Sequence, residues 1–303
     1  MINATFKRRL YAYGLRARVP YPLLRGAGDA LDAASRPADW RARRAAATSV
    51  RAESPWRGFV PRARGYRRVA PGEIPGLDDA VTEARAVFAL RKEATLRDKT
   101  GLSAANPFYM VLQDRDVPRY PRLVEAALAP PLVEIATDYL GTVPRLQNVN
   151  IWLSTPLDRA YGSQLFHLDK PDVRLLSLFV NLGEVGPEQG PLTFLPADTS
   201  AVVRRATRYE RRYYLGDGRL ADDELFRHCR REDLVALTGA AGSGGFVDTS
   251  NCLHIGSRVE VGERAVLVVR YAPAHKMSGV VTKLLADRAS CADPVRRLLL
   301  RDA

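Results

Sequence analysis

Histidine is scarce in this chain, with four among 303 residues, and cysteine is scarcer, with three. Cys229, Cys252 and Cys291 are odd in number and scattered, which excludes a disulfide framework and a paired-cysteine zinc ribbon and points to a reducing, cytoplasmic compartment. No run approaches the roughly 18–20 apolar residues of a membrane-spanning helix. Residues 1–20 also lack the apolar centre of a secretory signal, so export is not expected. There is no GxGxxG and no regular βαβ alternation, which argues against a dinucleotide-binding sheet. Ser243, in AGSGGF, lacks the Gly-x-Ser-x-Gly elbow of a serine hydrolase and reads as a turn before a strand. No internal repeat is visible.

Acidic residues are missing from the start of the chain, where none precedes Asp29. The formal net charge of +12 belongs entirely to residues 1–70, which hold sixteen Lys or Arg and four acids. The remaining 233 residues carry thirty basic and thirty acidic side chains. A balanced main body lacks the positive groove that nucleic acid needs, so nucleic acid is not expected as a partner. Within residues 2–14, Ile2, Phe6, Leu10 and Tyr13 fall at helical spacing with Lys7, Arg8 and Arg9 interleaved. The readings are an Arg-rich helix packed on the body, peripheral contact of residues 1–20 with an anionic inner-membrane surface, and an organellar presequence or polyanion-binding arm.

The hydrophobic content of 46% suffices for a packed core. Helices are expected at 27–48, which Pro37 can interrupt, and at 77–98, whose acidic start and basic end suit the helix dipole. Two helical pieces are expected within 119–140, broken at Pro130-Pro131 and stopped by Gly141. From Val143 onward short strand-like runs follow one another, interrupted at 199–238 by a charged, Tyr-rich insertion. A last segment, 280–301, reads as helical. The pattern predicts a basic, partly helical segment 1–70 packed on one domain, 71–303, with a β-core at about 143–275. The fold class is mainly β with flanking helices, a jelly-roll, cupin-like core buttressed by the N-terminal helices.

The chemistry centres on His167-Leu168-Asp169. Residues two apart on a strand point from one face, so an imidazole and a carboxylate can share one metal ion. A second histidine would complete the facial triad that leaves coordination positions open. His228 sits in the charged FRHCRR and reads as a surface residue; His275, near the end of the last strand, is ambiguous. His254 follows a Gly-rich turn and a strand in GSGGFVDTSNCLHIGSR, the presentation expected of a rigid ligand. Ten residues later Arg264 opens the apolar run RAVLVVRYA, either as a strand-end arginine reaching solvent or as a buried fork for a carboxylate.

Taken together, SQLFHLDKPD, EQGPLTFLPADTS, FVDTSNCLHIGSR and GERAVLVVRY resemble the phytanoyl-CoA dioxygenase-like family of Fe(II)/2-oxoglutarate oxygenases, over roughly residues 145–273. The resemblance implies a double-stranded β-helix with Fe(II) held by His167, Asp169 and His254, and Arg264 on the distal carboxylate of 2-oxoglutarate. It offers Gln147 and Asn150 as further cosubstrate contacts; Ser257, three residues after His254 rather than two, departs from the commoner pattern. It also implies that 2-oxoglutarate and O2 are consumed to hydroxylate an aliphatic C–H, because related halogenases replace the carboxylate that Asp169 retains. The expected partner is a small-molecule, acyl, or lipid- or glycan-linked substrate. The rival readings are a cupin-like protein or non-hydroxylating metalloenzyme using Zn or Mn, with Cys252 as a soft ligand beside His254, and a non-catalytic binding module.

Overall fold

The computed structural model describes residues 4–98, 108–156, 162–274, 285 and 293–301. Three helices open the chain: α1 (Ala4–Arg16), α2 (Tyr21–Ser35) and α3 (Pro37–Glu53). The expected 27–48 helix is thus two helices, because Pro37 cannot donate to the preceding turn and starts α3 instead. After β1 (Tyr66–Val69) comes α4 (Leu77–Arg97), which buries Leu77, Ala80, Val81, Ala84 and Val87 at helical spacing. Next come β2 (Phe108–Leu112), α5 (Pro121–Leu128) and α6 (Pro130–Leu140). The Pro-Pro break and the left-handed Gly141 cap, at φ 71°, fall where the sequence places them.

The strands that follow are β3 (Arg145–Ser154), β4 (Leu176–Asn181), β5 (Thr193–Phe194), β6 (Val235–Ala236), β7 (Gly244–Val247), β8 (His254–Ile255) and β9 (Arg264–Ala272). They form a six-stranded antiparallel sheet in the order β1-β7-β4-β9-β3-β2 and a three-stranded one in the order β6-β5-β8. The 199–238 segment contains α7 (Ala197–Ala206, starting just before it), α8 (Tyr209–Leu215) and α9 (Asp222–Leu225), and its end supplies β6. A short helix, Pro294–Leu300, closes the described chain. Of the expected helix at 280–301, residues 280–284 and 286–292 lie outside the described residues.

Strand alternation separates two chemistries. From the large sheet, Val149, Ile151, Leu153, Leu176, Leu178, Val180, Leu267, Val269 and Tyr271 pack against α4, α5 and α6 in the main core. Their neighbours in sequence, among them Trp152, Ser154, Phe179, Arg264, Val266, Val268 and Arg270, face the small sheet and line a cavity between the two. The register of β3 slips at Gln147, which has no partner while Leu146 and Asn148 pair with Tyr271 and Arg270. This bulge lets Leu146 share the core face with Val149 despite their odd spacing.

Charge fastens the N-terminal segment. Arg43 is fully buried, donating to Asp39 and to the carbonyls of Val143, Pro144 and Arg301. Arg51 pairs with Asp138 of α6 at 2.7 Å, and the Gly58 amide donates to the same carboxylate. Part of the basicity of residues 1–70 therefore holds α3 to α6, to the segment leading into β3 and to the chain after the last described helix. No helix among the described residues is long and apolar enough to cross a membrane.

Candidate metal centre

His167 and His254 face each other across an antiparallel bridge, exchanging both backbone hydrogen bonds at 2.9 and 3.0 Å. Their rings lie 4.4 Å apart between centroids. Asp169 Oδ1 is 3.8 Å from His167 Nε2 and 3.7 Å from His254 Nε2. One ligand atom from each residue lies within 4.8 Å of the others, the one such group among the described residues. His167 Nδ1 sits 2.8 Å from the Leu165 carbonyl and His254 Nδ1 3.0 Å from that of Cys252. A carbonyl can only accept, so Nδ1 carries the proton in both rings and Nε2 is left as a lone-pair donor toward Asp169.

Electrostatics keep this group ready for a cation. Burial works to raise the Asp169 carboxyl, but Arg270, with the two imidazoles, outweighs it and holds the group well below the usual carboxylate range. Arg270 donates to Asp169 Oδ2 at 2.8 Å and to Ser177 at 2.9 Å, leaving Oδ1 to face the histidines. Burial, then the neighbouring His167, push His254 down from 6.5 to about 4, so it is neutral at physiological pH.

The cavity of about 180 Å³ joins this group to Arg264 and Ser257. Arg264 is 4% exposed, its Nε has no hydrogen-bond partner, and burial lowers its pKa to about 10. The solvent-reaching alternative for this arginine is therefore excluded. Ser257 is buried as well, and its Oγ is equally unpartnered. A desolvated cation without a counter-charge is unfavourable unless something anionic completes it. Most of the rest of the wall is apolar and aromatic, with Phe108, Trp152, Phe179, Leu192, Val266 and Val268, and Ser154, Ser163 and Arg270 add polar points to it.

The other sequence candidates lie elsewhere. Asn150 donates to Asp114 at 3.1 Å and to the Leu112 carbonyl, and Gln147 sits in the β3 bulge; neither lines the cavity. Burial raises the Asp114 carboxyl while Asn148, the Val149 amide and Asn150 donate to it. His228 is exposed, and His275 lies outside the described residues. Cys252 is buried among Leu192, Phe194, Leu237 and Val247 and is not one of the metal-holding group. Its contribution is the carbonyl that orients His254.

Several supporting residues escaped sequence reasoning. Asp248 is fully buried and accepts from the Ser250 amide and hydroxyl, Asn251 and Tyr139. This knot shapes the turn whose Thr249 carbonyl receives the Asp169 amide and whose Cys252 carbonyl receives His254. From α8, Tyr213 donates to the Asp169 carbonyl at 3.3 Å. Arg270, Asp248 and Tyr213 lie 101, 79 and 44 positions from Asp169, and no spacing rule joins them.

No family model matches the chain, and no curated protein matches it. Solved structures similar to it include the non-heme alpha ketoglutarate dependent epimerase SnoN from nogalamycin biosynthesis, at 20% identity over 76% of this chain and 83% of that chain, with a TM-score of 0.44. HygX from Streptomyces hygroscopicus with nickel and 2-oxoglutarate bound is 15% identical over 73% of this chain and 87% of that chain, with a TM-score of 0.48. EctD from S. alaskensis with bound Fe is 18% identical over 72% and 76%, with a TM-score of 0.45.

Proposed function

We propose that this chain is an Fe(II)- and 2-oxoglutarate-dependent oxygenase of the phytanoyl-CoA dioxygenase-like type. It hydroxylates an aliphatic C–H of a small-molecule, acyl, or lipid- or glycan-linked substrate. The observation that carries the reading is the pairing, in one small cavity, of a His-Asp-His group with a buried, uncompensated arginine. A site that only holds a metal has no use for that guanidinium. A dicarboxylate that reaches the metal at one end and a cation at the other accounts for both. The jelly-roll assignment rests on how successive segments alternate between the sheets. β3, β4, β7 and β9 belong to the large one, while β5, β6, β8 and the His167 bridge belong to the small one.

On this reading His167, Asp169 and His254 hold Fe(II), and Arg264 with Ser257 receives the distal carboxylate of 2-oxoglutarate. Iron, cosubstrate and O2 supply the C–H oxidation, with 2-oxoglutarate converted to succinate and CO2. The protein's own contribution is positional. The Leu165 and Cys252 carbonyls aim the two imidazoles, and Arg270 holds Asp169 charged and presents a single oxygen. The apolar wall keeps bulk water from the reacting region. Retention of Asp169 favours hydroxylation over halogenation within this class.

The test is cosubstrate turnover. Protein supplied with Fe(II), 2-oxoglutarate and O2 is expected to release succinate, and acyl-CoAs, glycolipids, free sugars and amino acids should differ in how far they stimulate release. Turnover with Zn(II) or Mn(II) in place of iron, or none with iron, contradicts the proposal and favours the cupin-like metalloprotein or binding module.

A further inference from the structure

The first two helices form a hairpin with two unlike faces. Its inner face is closely packed: a Cβ at Gly14 would lie 2.4 Å from Leu24, and one at Gly28 would lie 2.5 Å from the Tyr11 hydroxyl, so the glycines make room for these two side chains as they are placed. Tyr11 stacks on Tyr214 of α8 with centroids 4.8 Å apart and planes within 8°. Arg211 of α8 donates to the Leu15 carbonyl at 2.7 Å.

The outer face is built for something else. Seven large hydrophobic side chains among the described residues are exposed, and four belong to this hairpin: Phe6 at 55%, Tyr13 at 75%, Leu23 at 65% and Leu31 at 42%. On α1, Phe6 and Tyr13 are one heptad apart, on one side of the helix, with exposed Arg9 and Arg16 beside them. On α2, Leu23, Ala27, Ala30, Leu31 and Ala34 make an exposed stripe without a charge, running alongside buried Leu24, Gly28 and Asp32. The apolar spacing seen in the sequence of α1 is therefore not the surface packed on the body, which is Tyr11, Gly14 and Leu15.

We propose that the outer face of the α1–α2 hairpin docks on an anionic lipid surface. Six basic residues precede Asp29, so the hairpin complements negative headgroups, and its aromatic and aliphatic side chains can enter the interface. A second copy of this chain is disfavoured by the repulsion of two such basic surfaces. A nucleic acid would meet Leu23 and Leu31 as dead surface, because phosphates reward cations and not aliphatic groups. The hairpin's inner face grips α8, whose Tyr213 reaches Asp169, so docking would bring the bilayer next to the edge of the metal centre. The proposal does not depend on the identity of the metal or cosubstrate.

Flotation of the full chain with vesicles tests it. The chain is expected to float with vesicles containing phosphatidylglycerol and not with pure phosphatidylcholine. Arg9→Glu/Arg16→Glu should lower binding by on the order of twentyfold, and Phe6→Ser/Leu23→Ser by a similar factor at unchanged thermal stability. Hydrogen exchange of the unaltered protein should slow over residues 4–35 when phosphatidylglycerol vesicles are added. No flotation of the unaltered protein, flotation of either variant equal to that of the unaltered protein, or no slowing over that segment would overturn the proposal. So would Phe6→Ser/Leu23→Ser splitting a dimer in the absence of lipid, or leaving vesicle binding intact while Arg9→Glu/Arg16→Glu removes binding to heparin and vesicles alike.

Discussion

The β-core and the N-terminal hairpin treat exposed and buried chemistry in opposite ways. In the core, charges are taken out of water: Asp169 has Arg270 and two imidazoles and Asp248 has four donors, while the third of these groups, Arg264, has a buried Nε without a partner. In the hairpin, apolar side chains that could have joined a core are left in water. One region carries an unfavourable feature inward and the other carries one outward. Each feature is what the proposed partner would answer: an anion for Arg264, an apolar and anionic surface for the hairpin.

Arg264 should give the largest effect, and the effect should have two signs. Arg264→Leu is expected to raise the KM for 2-oxoglutarate by about 100-fold through loss of a charge-assisted pair. The same change should leave the cosubstrate-free protein as stable as before, or more stable by about 1 kcal/mol, because a buried unpaired charge is gone. Kinetics and a denaturant melt on one variant check both.

Asp248→Ala tests whether the core's buried charges are supported as described. It strands four donors and is expected to cost about 3 kcal/mol of stability, with Fe(II) affinity falling about tenfold as the Cys252 carbonyl loses its position. A loss of stability without a loss of metal affinity would make the knot structural only.

Acid should separate the two regions further. His254 has a folded pKa depressed to about 4 against 6.5 unfolded, so the unfolded chain binds more protons in that interval. The stability this histidine contributes is complete above pH 6.5 and is lost as pH falls toward 4. His254→Gln should flatten the slope of stability against pH in that window, measured on metal-free protein. The smallest effect belongs to the hairpin, where Leu23→Ser should change stability by no more than about 0.5 kcal/mol, since the side chain is already in water.

The same contrast explains what could be read in advance. That His167, Asp169, His254 and Arg264 would come together in one cavity was legible, because few residue types can serve as metal ligands or anion partners and strands fix their direction. The helices at 77–98 and 119–140 were legible from dipole-matched ends and proline breaks. The edge strands β1 and β2 were not: Tyr66–Val69 is half charged, and Phe108–Leu112 has no alternation, so both depend on pairing with β7 and β3. Arg270, Asp248 and Tyr213 reach Asp169 only through tertiary pairing. Gln147 and Asn150 were offered by the family resemblance, and in the structure Gln147 sits in a bulge while Asn150 bonds Asp114. On α1 the periodicity of Phe6, Leu10 and Tyr13 signalled an amphipathic helix but left open which face the body takes; Ile2, the start of that spacing, lies outside the described residues.

The most direct test of the central claim is an anaerobic titration of the metal-free protein with Fe(II) and then 2-oxoglutarate, followed by visible absorption. The account predicts a weak charge-transfer band that saturates at one iron and one 2-oxoglutarate per chain and is absent from His167→Ala and Asp169→Ala. A folded protein that binds Fe(II) without developing the band, or a band that survives either substitution, would contradict it.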